Sequence, residues 1–199
     1  MERMDAKAIL HRYLRTARES LLWKLDEVSE YDVRRPLTPT GTNLLGLVKH
    51  LAFVELGYFG DTFARPHGER FPSDGEPNGD MYATAEETRP GILALYRRAT
   101  AHADATIEAL SLDDTGAVPW WPDDVNPVTL HWIVVHVIAE TNRHAGHADI
   151  LREQIDGSAG LRPGGDNLPH VGAEWWPEYV RRVDDAARAA SARSRDAEA

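Results

Sequence analysis

The sequence contains no cysteine among its 199 residues. This absence excludes a disulfide framework, cysteine-ligated zinc and iron–sulfur sites, and a protein thiol that could act as a nucleophile. Positive charge is also scarce, since 22 Lys and Arg residues stand against 32 Asp and Glu residues and the formal net charge is −10. Phosphate and anionic lipid repel such an acidic chain, so we expect neither nucleic acid nor a membrane as a partner.

Long apolar runs are missing as well. The most apolar stretch, 132–139, is far shorter than the ~20 residues of a membrane span, and it contains a histidine. The N-terminal segment lacks the continuous apolar core of a signal peptide. Because 42% of the residues are hydrophobic, the chain can still build a core of ordinary size. These features predict a globular, cytoplasmic protein.

The spacing of apolar residues is helical along most of the chain, with almost no strand-like alternation. The predicted helices cover residues 5–28, 43–63, 84–110, 127–157 and a last stretch from about 174. Segments rich in Pro, Gly or Asp between them, 29–42, 65–83 and 111–126, are predicted loops. We therefore predict an all-α fold, with a four-helix bundle over 1–173 and a C-terminal helix with a fraying tail over 174–199.

Capping signals indicate where these helices begin and end. Asp5 is a predicted N-cap, and Thr84 with Glu87 has the spacing of a capping box. Pro127 is predicted at the first position of the fourth helix, and Gly157 at its C-terminal end.

The fourth predicted helix has polar residues on the face that should be buried. Its stripe consists of Ile133, His136, Val137, Glu140, His144, His147 and Leu151. Unpaired polar groups are costly inside a bundle, so this stripe indicates either ligand binding or an internally hydrogen-bonded cluster. His136 and His147 lie ~16 Å apart along the axis, which is too far for one ion. The spacing alone leaves three neighbouring pairs open as ligands: His136 with Glu140, Glu140 with His144, and His144 with His147.

The second predicted helix offers His50 among apolar neighbours. With Glu140 and His144 it would form a three-ligand site of two nitrogens and one oxygen, the pattern of catalytic divalent-metal centres. The alternative is that His50 is a hydrogen-bonded core or surface residue, and that the other two form an ordinary helix-surface pair.

Several other polar and aromatic residues are expected to have structural roles. His11, His67, His102 and His170 are predicted to be solvated, and His131 lies off the stripe. Arg143 and Arg152 are predicted to form surface ion pairs with Glu153 or Asp149, with an anionic substrate as the alternative. The tryptophans are expected to pack over bundle ends or to line a pocket; they are Trp120, Trp121, Trp175 and Trp176.

Two segments resemble a known superfamily. NLLGLVKHLAFVE at 43–55 and VTLHWIVVHVIAETNRHAGHADILREQIDG at 128–157 are similar to the DinB/YfiT-like four-helix-bundle metalloproteins, in particular to an actinobacterial branch. The resemblance covers about residues 5–157. It implies an up-down-down-up bundle that holds one divalent ion between helices, with zinc expected and nickel or iron as alternatives.

The resemblance also implies a ligand set. Many relatives use three histidines, whereas Glu140 replaces one of them here, as in the mycothiol-dependent maleylpyruvate isomerase type. By position the ligands are His50, Glu140 and His144. His147 is the candidate catalytic residue, in the pocket or behind the ligands.

The resemblance further implies a thiol S-transferase or isomerase in which the metal activates a low-molecular-weight thiol, such as mycothiol, for attack on a small electrophile. Since the chain has no cysteine, the thiol must be a cosubstrate. A metal-dependent hydrolase and a non-catalytic, stress-related binding or scaffold protein are the alternatives, and a homodimer is one expected assembly.

Overall fold

The computed structural model describes residues 5–72, 76–166 and 168–197, which are almost entirely helical outside the loops. The helices within this part of the chain are α1 Ala6–Leu22, α2 Glu30–Arg34, α3 Leu44–Phe59, α4 Arg89–Ala109, α5 Leu130–Asp156 and α6 Trp175–Ala197. Short 3-10 turns, Trp23–Leu25 and Asp61–Phe63, follow α1 and α3. Strands β1 Thr115–Gly116 and β2 Val128–Thr129 form a two-stranded antiparallel sheet. The predicted all-α class is confirmed.

The chain divides into two compact units, Met1–Asp166 and Asn167–Ala199. The first contains the bundle of α1, α3, α4 and α5, and the second contains α6. Helix α6 begins one residue after the predicted start, and the fraying of its end stays a prediction. None of the described helices is both long and apolar enough to cross a membrane.

Contacts at the ends of α1 give the directions of its two neighbours. Lys7, at the start of α1, donates to the carbonyl of Leu110 just beyond the end of α4 at 2.7 Å. These two helices are therefore antiparallel. Lys24, just beyond the end of α1, lies 2.9 Å from Asp149 in the last third of α5. Helices α1 and α5 therefore run in the same direction.

Helix α3 runs alongside α4. Lys49 in the first half of α3 lies 2.9 Å from Glu87, just before α4 begins, so these two helices are parallel and both oppose α1. The order along the chain is thus up-down-down-up, as predicted. Of the residues of α3, only His50 and Val54 are partly exposed, because the helix packs against both α4 and α5.

Two predicted helix boundaries are confirmed in detail. The Asp5 carboxylate accepts a hydrogen bond from the Ala8 amide, as an N-cap does. Gly157 ends α5 with φ of 79°, a left-handed conformation that glycine adopts without a Cβ clash.

Two other predicted boundaries are wrong. Helix α4 begins at Arg89 with Thr88 as its N-cap, and the Glu87 carboxylate accepts from the Thr84 amide in the turn that precedes the helix. Helix α5 begins at Leu130 rather than at Pro127. The reason is that 128–129 pairs with β1 as an extended strand, so the helix cannot start until the pairing ends.

The sequence pattern also missed local features. Helix α2 lies in the predicted loop 29–42, where Ser29 caps it. Ile9 and Tyr13 have the same helical spacing as the buried residues Leu14 and Leu21 of α1, but they are 40% and 63% exposed. Helical spacing of apolar residues therefore overestimates the buried face of α1.

Candidate metal centre

Helices α3 and α5 bring three ligand-type side chains together. One donor atom from each of His50, Glu140 and His144 lies within 4.8 Å of the others. Glu140 Oε1 is 3.0 Å from His144 Nε2 and 3.9 Å from His50 Nε2. The His50 and His144 rings meet edge to face with centroids 4.8 Å apart. We call these three residues the triad.

The helices explain this convergence. Glu140 and His144 are four residues apart on α5, so their side chains lie one turn apart on the same face. His50 comes from the narrow, partly exposed strip of an otherwise buried α3. The side chains of His50 and Glu140 are 22% and 26% exposed, so small molecules can reach the triad.

A fourth residue, Asp80, orients His50. Its Oδ2 lies 2.7 Å from His50 Nδ1. When Nδ1–H donates to this carboxylate, the lone pair of His50 is on Nε2, which faces the other two triad residues. The sequence analysis missed Asp80 because it lies in the loop 65–83. The sequence of this loop has no periodicity from which the position of a side chain could be predicted.

His144 is the most buried member of the triad. Burial, and then the neighbouring His50, lower its pKa, while Glu140 opposes this effect. Neutral imidazole is the form that binds a metal. The Nδ1 atom of His144 is buried without a hydrogen-bond partner among the described residues, so internal hydrogen bonding does not fully account for this histidine. Two imidazoles and one carboxylate are a set of donors that fits a divalent cation.

Two cavities of similar size adjoin the triad and share His50, Asp80 and Glu140. The polar cavity, of about 560 Å³, is further lined by residues that include Thr40, Thr42, Asn78, Tyr82, Arg143 and His144. The aromatic cavity, of about 530 Å³, is further lined by Phe53, Val54, Tyr58, Phe71, Trp120 and His136.

His147, the candidate catalytic residue, lies apart from these cavities. It is exposed on α5 and lines neither of them. Its ring contacts the His144 ring, with centroids 5.3 Å apart. His136 lines the aromatic cavity, and its ring contacts the rings of Tyr58 and Trp121.

Most of the remaining polar predictions need correction. His11 pairs with Asp104 at 2.7 Å, and the side chain of His67 is only 8% exposed, so neither imidazole is simply solvated. The His102 Nε2 is buried as well. Arg152 is also buried and bonds Asp156 instead of Glu153 or Asp149. The helical turn places Asp156 four residues on, where a bidentate contact is possible.

Comparison with protein families identifies the chain. A family model described as mycothiol-S-transferase matches residues 9–157, which include the whole triad. The chain belongs to the mycothiol-S-transferase family. This membership confirms the predicted place in the DinB-like superfamily.

A solved structure shares the fold of this mycothiol-S-transferase family member. It is the crystal structure of a conserved protein from Enterococcus faecalis, with a TM-score of 0.57 and 17% sequence identity. The alignment covers 78% of this chain and 100% of that one. At this identity the similarity supports the bundle fold alone. Comparison with curated proteins gives no match.

Proposed function

We propose that this protein is a metal-dependent S-transferase that joins mycothiol, or a closely similar low-molecular-weight thiol, to a small electrophile. The observation that carries the proposal is the triad, in which His50, Glu140 and His144 converge beside two cavities in a mycothiol-S-transferase family member. These three residues would hold one divalent ion. Zinc is our first candidate, because imidazole and carboxylate ligands suit it, although they also suit nickel and iron.

The charge of the triad matches this chemistry. A divalent ion held there would lower the pKa of a bound thiol. The thiol would therefore be a thiolate at neutral pH. One carboxylate and two neutral imidazoles leave a net charge of about +1 at such a centre, which favours an anion. Asp80 keeps the Nε2 lone pair of His50 directed at the triad. In the overall reaction the thiol sulfur forms a bond to the electrophilic carbon, the leaving group departs with its electron pair, and the thiol proton passes to solvent.

A catalytic role for His147 stays a prediction. Its only described ring contact is with His144, so any effect of His147 on the reaction would act through the orientation of that ligand.

Metal content and thiol transfer test the proposal together. Untagged wild-type protein is expected to bind about one divalent ion per chain and to conjugate a thiol to an electrophile such as benzyl bromide. His144→Ala should lose both properties. His131→Ala is the matched control, since His131 is an exposed histidine on the same helix and should change neither.

Elemental analysis and a thiol panel, with one arm that contains no thiol, measure these outcomes. Full activity after complete removal of metal would refute the metal dependence. Turnover that needs no thiol would point to hydrolysis, and metal content that cannot be restored by soaking would favour a non-catalytic binding protein.

A further inference from the structure

We infer that the aromatic cavity binds the electrophile, and that this cosubstrate carries a planar apolar group. The inference rests on the proposed thiol transfer and adds to it the chemical class of the second reactant. The observation behind it is the contrast between the two cavities that share His50, Asp80 and Glu140.

The aromatic cavity is lined by rings in mutual contact. Phe53 and Phe71 lie with centroids 5.0 Å apart, and Tyr58 meets Trp120 edge to face at 5.2 Å. Val54, one of the two partly exposed residues of α3, adds an aliphatic surface. Flat apolar groups bind well between such rings, because they bury apolar area and can stack or meet ring edges.

Trp120 is placed at this cavity by a close approach to α3. It is 51% exposed, although so large an apolar side chain is usually covered. A Cβ at Gly57 would lie 2.7 Å from Trp120 Cη2, so a side chain at position 57 would require the indole to move from this place. Glycine within a helix is destabilising relative to alanine. A glycine at position 57 therefore leaves room for the Trp120 indole in the aromatic cavity.

The polar cavity suits the other reactant. Its hydroxyl, amide and guanidinium groups, from residues such as Thr42, Asn78 and Arg143, can hydrogen-bond a hydroxyl-rich thiol. The aromatic cavity offers few such partners, so hydroxyl groups would lose hydrogen bonds to water there. Each reactant can therefore reach the triad from its own cavity. The sulfur–carbon bond forms beside the shared residues, and the carbon–leaving-group bond breaks.

Binding of an unreactive aromatic compound tests the cavity without any chemistry. The probe is 1-naphthalenemethanol, measured by equilibrium dialysis against the full chain. Trp120→Ala should weaken binding by about tenfold, since it removes one aromatic contact surface. Gly57→Ala should weaken binding in the same direction by displacing the indole, with the helix content checked by circular dichroism.

Two control variants act on the polar cavity. Arg143→Ala and His144→Ala should bind 1-naphthalenemethanol with an affinity within about twofold of the wild type, because neither residue lines the aromatic cavity. His144→Ala should at the same time abolish thiol transfer, which separates the two claims.

A second measurement concerns specificity. The ratio of kcat/KM for benzyl bromide to that for iodoacetamide should fall by about tenfold in Trp120→Ala, because only the first reagent carries a ring. Equal naphthalene binding by wild type and Trp120→Ala, or no saturable binding by wild type, would overturn the inference even if thiol transfer is intact. Naphthalene binding in the expected pattern without thiol transfer by wild type would instead overturn the proposed function.

Discussion

Asp80 shows at the scale of single residues how a loop side chain can determine the chemistry of a helical one. The hydrogen bond between its carboxylate and His50 Nδ1 selects the tautomer whose Nε2 faces Glu140 and His144. Without this acceptor, the ring could rotate, or its proton could lie on Nε2 and occupy the lone pair that a metal needs.

We therefore expect Asp80→Ala to weaken metal affinity by about 10–100-fold while the fold is retained. Competition between the protein and a zinc chelator of known affinity measures the effect. Asp61→Ala is the control, because Asp61 pairs with His67 away from the triad at 3.3 Å. Equal affinities for wild type and Asp80→Ala would show that Asp80 does not support the ligand.

The sequence predicted this centre unevenly. The proximity of Glu140 and His144 follows from helical spacing, which also left two neighbouring pairs on the same helix open. His50 was proposed as a third ligand from its place among apolar neighbours, but spacing says nothing about which helices face each other, and the family resemblance was needed to select this set. Asp80 could not be found at all, because its position depends on contacts that hold the loop.

Those contacts come largely from one element, the first half of α3. Lys49, which is 2% exposed, donates to the carbonyls of Gly79 and Tyr82 and pairs with Glu87, each at 2.9 Å. Lys49 therefore holds the chain on both sides of Asp80. It is also the residue directly before His50 in the sequence. The described residues of this loop form no helix or strand, and the buried Lys49 ammonium supplies hydrogen bonds to two of its carbonyls.

Lys49→Met should release this loop, because three acceptors lose their donor while the apolar volume is kept. We expect the free energy of unfolding to fall by about 1–3 kcal/mol and metal affinity to fall as in Asp80→Ala. Urea denaturation and chelator competition measure the two effects. In Lys7→Met, which also removes bonds to two carbonyls but at the far end of α1, only stability should change. A Lys49→Met protein with wild-type metal affinity would contradict this account.

Boundaries at the scale of elements were harder to predict than the elements themselves. Thr88 rather than Thr84 caps α4, although both offer a hydroxyl, because the chain after Thr84 forms a turn whose Glu87 is engaged with Lys49. Such choices between equivalent local signals are made by tertiary contacts.

A buried ion pair crosses the core at the scale of the whole molecule. Arg18 on α1 makes two bonds of 2.7 Å to Glu55 on α3, and both residues are almost wholly buried. Burial opposes the charge on Arg18, but Glu55 and Asp104 outweigh it and raise the pKa of the guanidinium. Because α1 and α3 are antiparallel neighbours, this ion pair fixes their alignment along the helix axes.

Removing one partner should leave an uncompensated buried charge. Arg18→Met is expected to lower the free energy of unfolding by about 3–5 kcal/mol, whereas Arg18→Met with Glu55→Met should recover much of the loss. Chemical denaturation of the wild type, the two single variants and the double variant completes the cycle. If the double variant is as unstable as the sum of the single ones, the pair is not coupled.

The overall architecture was the most predictable level. Four long periodic segments required a bundle, since each has an apolar face that must be covered. The buried residues Arg18, Lys24, Lys49 and Glu55 escaped prediction, because charged residues normally indicate a solvated face.

The triad draws His50 from α3 and the other two residues from α5, so His50 is about ninety positions from them along the chain. An ion held there would act as a reversible cross-link that only the folded state can form. At a free ion concentration one hundred times the dissociation constant, it would add about 2.7 kcal/mol to the folded state. Occupancy of the centre could thus be followed as a rise in melting temperature, with no substrate and no knowledge of the reaction.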